Sequence, residues 1–339
     1  MADWDGCLNR IVQSVPETEP GKQQLYHYQS FGWLCGGMIE HASGKKFQEI
    51  LEEAIVHPLE IDGELYIGIP PGVESRLAVL STDTEDVSKI SQSKSRPDLP
   101  SSFQPEIIAE IMTTVPSLFN LLQIRQAILP ASNGHCSARA LARYYAALVD
   151  GGVVPLSHSN LSKPPLGSHP HIPEEQNQVV TNENNTNFHE DKVEGSNDLK
   201  RDDRLDSSET GDDGKESKSI REMFSNPRIH EAFLGLGEYG NWAMADGAFG
   251  LGFRRMRLRD GSFVGFGHTG MGGSTGFCYT KERLAIAVTV NKLSLGGVTR
   301  KITELICSEL NIPLHEHYTA MTEEDKPDTE LITKTILIN

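Results

Sequence analysis

From Ser157 to about Ser219 the chain is built largely of Ser, Asn, Asp, Glu, Pro and His. Such a composition cannot bury enough apolar surface to offset the entropy of ordering the backbone, so this stretch is expected to be disordered. A structureless loop of that length is uncommon inside a compact domain and is best read as an insertion. The expected organisation is therefore 1–152 as a helical part, 153–225 as an acidic insertion, 226–312 as the remainder of the same domain, and 313–339 as a polar tail.

The charge supports this division. The 339 residues carry a net charge of −16, from 31 Lys and Arg against 47 Asp and Glu. Residues 171–219 hold 14 acidic and 6 basic groups, and 323–330 hold five acidic and one basic. Most of the net charge thus belongs to two short segments, and the foldable remainder is nearly neutral. A strongly acidic chain repels phosphate backbones and anionic lipid, which argues against nucleic acid or a membrane surface as partner. No apolar run approaches ~18 residues, so no bilayer span is expected. The start, Met1-Ala-Asp-Trp-Asp-Gly-Cys7, lacks the basic and apolar regions of a signal peptide. The five cysteines (Cys7, Cys35, Cys136, Cys278, Cys307) are odd in number and widely spaced. They read as reduced thiols of an intracellular, cytoplasmic protein.

Local patterns suggest an α+β fold. Phe31, Leu34, Cys35, Met38, Ile39 and Ala42 keep helical spacing up to Gly44, and Phe47 to Ile55 continue it until Pro58. Glu64–Ile69 and Arg76–Leu80 read as short strands, and Ser81–Ser102 as a polar surface loop. Ile107–Leu122 is partly helical around Pro116. Ser137 caps a helix whose apolar side carries Leu141, Tyr144, Tyr145 and Leu148, closed by Gly151. Beyond the insertion the period becomes two. Phe249–Leu258, Ser262–His268, Gly276–Thr280 and Leu284–Lys292 are expected strands, with Asp260-Gly261 and Lys281-Glu282-Arg283 as hairpin turns. Ile302, Leu305, Ile306 and Leu310 are expected to form one face of a last helix.

Three segments carry a resemblance. Tyr26-His-Tyr28 with Gly32 and Gly36 is followed by Ile39-Glu-His-Ala-Ser-Gly-Lys45 and Val56-His-Pro58-Leu59. Ser137 to Gly152 comes next. Then Gly267-His268-Thr269-Gly270-Met-Gly272-Gly273-Ser274 leads into Leu284 to Asn291. Together they resemble class C-type serine β-lactamases and their penicillin-binding and esterase relatives, over roughly 1–152 and 226–312. The wording is close to β-lactamase-like domains of plant proteins, some of them fused behind a kinase-like domain.

The resemblance implies acyl-transfer chemistry on a small ester or amide, with no cofactor and no metal. A serine attacks a carbonyl while a lysine and a tyrosine handle its proton. By position Tyr26 would be that tyrosine. His268 and Thr269 would line the pocket, Gly270 would let the strand approach the substrate, and the Met271 N–H would form half of the oxyanion hole. Tyr28 stands where the family has Asn, which removes an amide from side-chain recognition.

The larger departure is the nucleophile. Ser-x-x-Lys should precede the tyrosine, yet the 25 residues before Tyr26 contain none. The chain therefore reads as truncated before the first strands and the nucleophile helix, with little or no activity alone. A longer form could supply them; the rival readings are a catalytically dead interaction or ligand-binding module and an incomplete gene model. Ser43-Gly-Lys-Lys46 and Ser91-Gln-Ser-Lys94 match the motif only in exposed, polar settings. Gly272-Gly-Ser274-Thr-Gly276 fits a nucleophile elbow but is followed by a strand, so a glycine-rich hairpin is expected. Gly235-Leu-Gly237-Glu-Tyr-Gly240 does not open a helix as a dinucleotide site would. His169-Pro-His171 and His315-Glu-His317 have no cysteine nearby to suggest a metal. Arg255, Arg257 and Arg259 share one strand face, expected to be solvated.

Overall fold

The computed structural model describes residues 2–16, 19–20, 22, 27, 29–95, 104–154, 222–224, 226, 228–242, 249–270 and 272–319. They belong to one unit, formed by Met1–Leu156 and Ile220–Asn339. The acidic stretch Ser157–Ser219, expected to be an insertion, lies outside the described residues.

Asp3 caps α1 (Trp4–Gln13) by accepting the Gly6 N–H at 3.0 Å. α2 (Ser30–Ser43) ends at Gly44, whose φ of 69° is the left-handed conformation that glycine adopts freely. Glu40 near its end accepts from Trp4 Nε1 at 3.1 Å and from the Phe47 N–H at 2.8 Å, so one carboxylate ties three segments together.

The next helix does not stop before Pro58. α3 (Phe47–Leu51) runs through a π turn, Glu52–Val56, into α4 (His57–Leu59), which contains Pro58. Proline cannot donate its missing N–H and crowds the carbonyl four residues back. The wider turn precedes it, with the His57 N–H bonded to Glu52 O.

β1 (Leu65–Ile67) is a shorter strand than expected. The expected strand Arg76–Leu80 is not formed. A 3-10 turn covers Glu74–Arg76, and side chains take up the backbone beyond it. Asn120 bonds both the N–H and the carbonyl of Leu80 at 2.9 Å, and Arg125 Nη2 donates to Ala78 O at 3.0 Å. β2 (Ser81–Thr82) follows, then α5 (Thr84–Ser91) where a polar loop was expected. Asp83 caps α5 through the Glu85 and Asp86 N–H groups. Ile90 buries fully against Ile108 and Met112, so two apolar residues three apart, Val87 and Ile90, suffice once a partner helix is present. That partner is α6 (Pro105–Phe119), with Pro116 inside it. After α7 (Leu122–Arg125), β3 (Gly134–Cys136) pairs antiparallel with β1. α8 (Ala138–Val149) is capped by Ser137 as expected.

Val153 forms an antiparallel bridge with Glu222, and the Met223 N–H bonds Gly152 O at 2.8 Å. The chain therefore departs and returns side by side. α9 (Ile229–Leu234) follows, ended by Gly235 in the left-handed conformation; Gly237 opens only a short 3-10 turn.

The main sheet is antiparallel with strand order β4-β5-β6-β7-β8: β4 (Phe249–Gly250), β5 (Phe253–Arg257), β6 (Phe263–Thr269), β7 (Thr275–Tyr279) and β8 (Leu284–Val288). The single strand expected over 249–258 is a hairpin. Leu251 (φ 45°) and Gly252 (φ 82°) both take positive φ, as a two-residue turn matched to strand twist requires. β9 (Lys292–Leu293) leaves the sheet to pair parallel with β2.

The two faces of the sheet are covered differently. Tyr145 and Leu148 of α8 and Phe233 of α9 pack on Phe266 and Cys278. On the other face, α10 (Gly297–Glu309) and α11 (Glu316–Thr319) bring Cys307 and Tyr318 against Phe277, Tyr279 and Ile286. The apolar face expected for α10 is not its most buried one: Leu305 is 62% exposed and Ile302 38%, while Thr299, Thr303 and Cys307 are buried. Threonine serves here because its hydroxyl is bonded, Thr299 Oγ1 to Gly273 O at 2.6 Å and Thr303 Oγ1 to Thr299 O at 2.9 Å. None of the five cysteines is in a disulfide.

Candidate active site

The Gly267-His268-Thr269-Gly270 run ends β6, and close strand packing shapes it. A Cβ on Gly267 would lie 2.3 Å from that of Phe277. Past Gly270 the chain reverses tightly: the Gly270 N–H bonds Ser274 O at 2.8 Å and the Gly273 N–H bonds Gly270 O at 2.9 Å. Gly273 holds a φ of 89°, which explains glycine there.

Alternation along β6 separates His268 from Thr269. His268 pairs in register with Gly276, whose missing side chain leaves room for the Tyr145 ring, and the Tyr145 hydroxyl reaches the His268 main chain. The His268 ring lies 5.9 Å from that of Phe249. Burial, and then the positive charge of Arg254, lower its pKa from the usual value to about 4. The imidazole is therefore neutral near pH 7, able to donate or accept a hydrogen bond but not to offer a positive charge. Thr269 turns to the opposite face, where its hydroxyl and that of Thr275 are 2.9 Å apart. Gly270 is exposed, and a Cβ there would lie 3.7 Å from its nearest neighbour, Ser274 O, so the strand end is open to approach.

Tyr26, Tyr28 and Met271 lie outside the described residues. Their neighbours locate where the Tyr26 segment leads. His27 Nδ1 is 2.9 Å from Ser30 Oγ at the start of α2, and Gln29 Oε1 accepts from Ser132 Oγ at 3.0 Å. Phe31 lies 3.6 Å from where a Gly252 Cβ would stand, in the turn of the β4–β5 hairpin. That hairpin also carries Phe249, the ring beside His268. One turn thus links the entry of α2 to the end of β6.

The other sequence candidates are spread elsewhere. Ser43 Oγ donates to Ile39 O at 2.7 Å and Ser91 Oγ to Val87 O at 2.9 Å, both back into their own helices. Ser274 Oγ donates to Val290 O at 3.2 Å and accepts the Val290 N–H at 2.9 Å, the role of a hairpin clamp. The guanidinium of Arg255 lies 3.7 Å, and that of Arg257 4.9 Å, from the centre of the Phe263 ring. His315 and His317 are stacked at 6.1 Å, and Arg254 Nη1 meets His317 Nδ1 at 3.1 Å. Burial, then the charge of Arg254, push both pKa values down, which leaves them as buried neutral rings. His169-Pro-His171 lies outside the described residues. Sequence reasoning missed Arg254. The signal was its parity, because it falls on the opposite strand face from Arg255 and Arg257, while Arg259, expected on their face, lies in the turn after β5.

Among the described residues no helix is long and apolar enough to cross a membrane. The family model described as Beta-lactamase matches residues 1–187. The esterase/beta-lactamase LipL of Mycobacterium tuberculosis is 31% identical over 154 residues, covering 43% of this chain and 34% of the relative. The fold is similar to that of a penicillin-binding protein homolog from Caulobacter crescentus, with a TM-score of 0.51 at 19% identity, over 86% of this chain and 59% of the other. It is likewise similar to EstA from Arthrobacter nitroguajacolicus Rue61a, with a TM-score of 0.51 at 15% identity, over 99% and 66%. The chain spans about a third of the length of the curated relative it matches. On the match of a family model to more than half of its residues, the chain belongs to the β-lactamase family.

Proposed function

We propose that the chain is the substrate-lining part of a serine-hydrolase-type acyl-transfer site for a small ester or amide, and that alone it turns over little or nothing. The observation that carries this reading is His268, shielded and neutral, beside the open backbone of Gly270 at the end of β6. In this reading the Met271 N–H serves the oxyanion, Tyr26 moves the proton, and Tyr28 and His268 contact the acyl group. Thr269 contributes its backbone, because its hydroxyl is engaged with Thr275. A neutral imidazole gives a substrate carboxylate no opposite charge, which favours neutral esters over carboxylate-bearing β-lactams.

The expected inactivity rests on the serines. Ser43, Ser91 and Ser274 use their hydroxyls within their own helices or hairpin. Loss of the nucleophile costs on the order of 10⁶-fold in a comparable acyl enzyme. A segment upstream in a longer form is the proposed source of the missing serine, and a protein or a kinase-like domain in that form is the proposed partner. Five thiols outside any disulfide fit an intracellular site of action. The second reading, a dead module that binds through the inherited cleft, is favoured by Tyr28 in place of the family's Asn.

Purified chain is incubated with p-nitrophenyl acetate, nitrocefin and a fluorescent penicillin, beside Tyr26→Phe. The proposal expects no adduct from this chain, and from an upstream-extended form one that Tyr26→Phe abolishes. Tyr26-dependent turnover by this chain alone would overturn the inactivity. An inert extended form that still binds ligand would favour the module.

A further inference from the structure

The π turn between α3 and α4 gathers three possible metal ligands. His57 Nε2 lies 3.6 Å from a carboxylate oxygen of Glu52 and 3.3 Å from one of Asp62, and the three ligand atoms all lie within 4.8 Å of one another. The fold, rather than helical spacing, brings them together. Over five residues a regular α-helix turns about 500°, which would leave Glu52 and His57 about 140° apart. The wider turn, closed by the His57 N–H on Glu52 O, returns them to one side. Glu60 then takes a left-handed φ of 54°, and the Ile61 N–H bonds Val56 O at 3.2 Å, so the chain folds back and delivers Asp62. Val56, Leu59 and Ile61, which alternate with the ligands, are buried and anchor the backbone that carries them.

We propose that Glu52, His57 and Asp62 together bind one Zn²⁺-class divalent cation, which ties the π turn to the segment after α4. The rival is a plain ion pair, and the distances decide between them. An N–H···O bond is best at about 2.7–3.2 Å, and the one proton of Nε2 serves one acceptor. Here two carboxylates flank that nitrogen, both beyond this range. Ligands held about 2.0–2.2 Å from Zn²⁺ in a tetrahedron stand about 3.3–3.6 Å apart, as these do. The carboxylates reach solvent, so they can rotate to close the third edge, and water can complete the coordination. Residues 45–64 hold six acidic and two basic groups, a local field that draws cations. The imidazole selects among them, because it suits zinc and its neighbours, whereas Mg²⁺ and Ca²⁺ are held by oxygen. This inference does not rest on the hydrolase reading.

The test is a calorimetric Zn²⁺ titration of the full chain beside His57→Ala, Glu52→Gln and Asp62→Asn. All three side chains reach solvent, so the metal-free variants should melt as the parent does. Each substitution is expected to weaken one equivalent of Zn²⁺ about tenfold or more, and to remove the rise in melting midpoint that Zn²⁺ gives the parent. Mg²⁺ should bind about tenfold more weakly than Zn²⁺, or less. No Zn²⁺ binding by the parent would overturn the proposal. So would equal binding by the parent and His57→Ala, which would place the metal on thiols or histidines elsewhere. Binding that ignores both carboxylate variants would reduce the site to a lone histidine, and Mg²⁺ held as tightly as Zn²⁺ would reduce it to an acidic surface; either would overturn it too.

Discussion

A Cβ on Gly276 would lie 2.4 Å from Cε2 of Tyr145, so α8 rests on β7 through a position that has no side chain. Gly276 also stands opposite His268, and the same gap seats the Tyr145 ring beside the candidate site. Gly276→Ala is expected to lower stability by about 1–3 kcal/mol through overpacking. A urea melt measures it. In the double variant with Tyr145→Leu the two losses should sum to less than their separate values, because the smaller side chain relieves the clash.

Ser274 clamps the β7 hairpin to the Val290 backbone with both its donor and its acceptor. Ser274→Ala leaves the Val290 N–H unpaired and should cost about 1–3 kcal/mol in the same melt. Any acyl adduct formed by an active, extended form should persist in this variant. Its disappearance from the folded variant would make Ser274 the nucleophile.

Buried Arg125 bonds Phe119 O, Ala78 O and Asn120 Oδ1, replacing a ladder for the stretch leading into β2. Arg125→Met keeps an unbranched stem and removes the donors. The orphaned carbonyls are expected to cost about 2–4 kcal/mol, read as a drop in denaturation midpoint with little change in slope.

Acid should destabilise the fold through its shielded histidines. Burial, then Arg254, lower the pKa of His268 to about 4 and of His315 to about 3, and lower that of His317 as well. The unfolded chain binds these protons near pH 6.5 and the folded chain resists them. The stabilisation is thus complete above pH 6.5 and is lost as pH falls from there toward the folded values. For His268 alone the loss from pH 7.5 to 5 is about 2 kcal/mol. Thermal melts of the parent and His268→Gln at both pH values should show a smaller acid loss in the variant.

Where local chemistry was sufficient, the sequence was legible. The Gly44 stop, the Ser137 cap, the hairpin at Asp260-Gly261 and the family's segment order all follow from neighbours within a few residues. In the candidate site, the strand running into a tight turn could be read, because Gly267 to Gly270 carry their own pattern. Arg254 could not, because it acts across the sheet and its strand was masked by the Leu251-Gly252 turn.

The sequence by itself determined the α+β order, the β-lactamase likeness and the segregation of charge into two polar segments. Only the tertiary structure decided which polar residues are core. Thr299 and Thr303 displaced Ile302 and Leu305 from the buried face of α10 because each threonine hydroxyl found a carbonyl there. It also decided the charge of His268. A histidine's protonation is set by how much water and which charges surround it, and these come from Tyr145, Phe249 and Arg254, which the fold brings to one strand end.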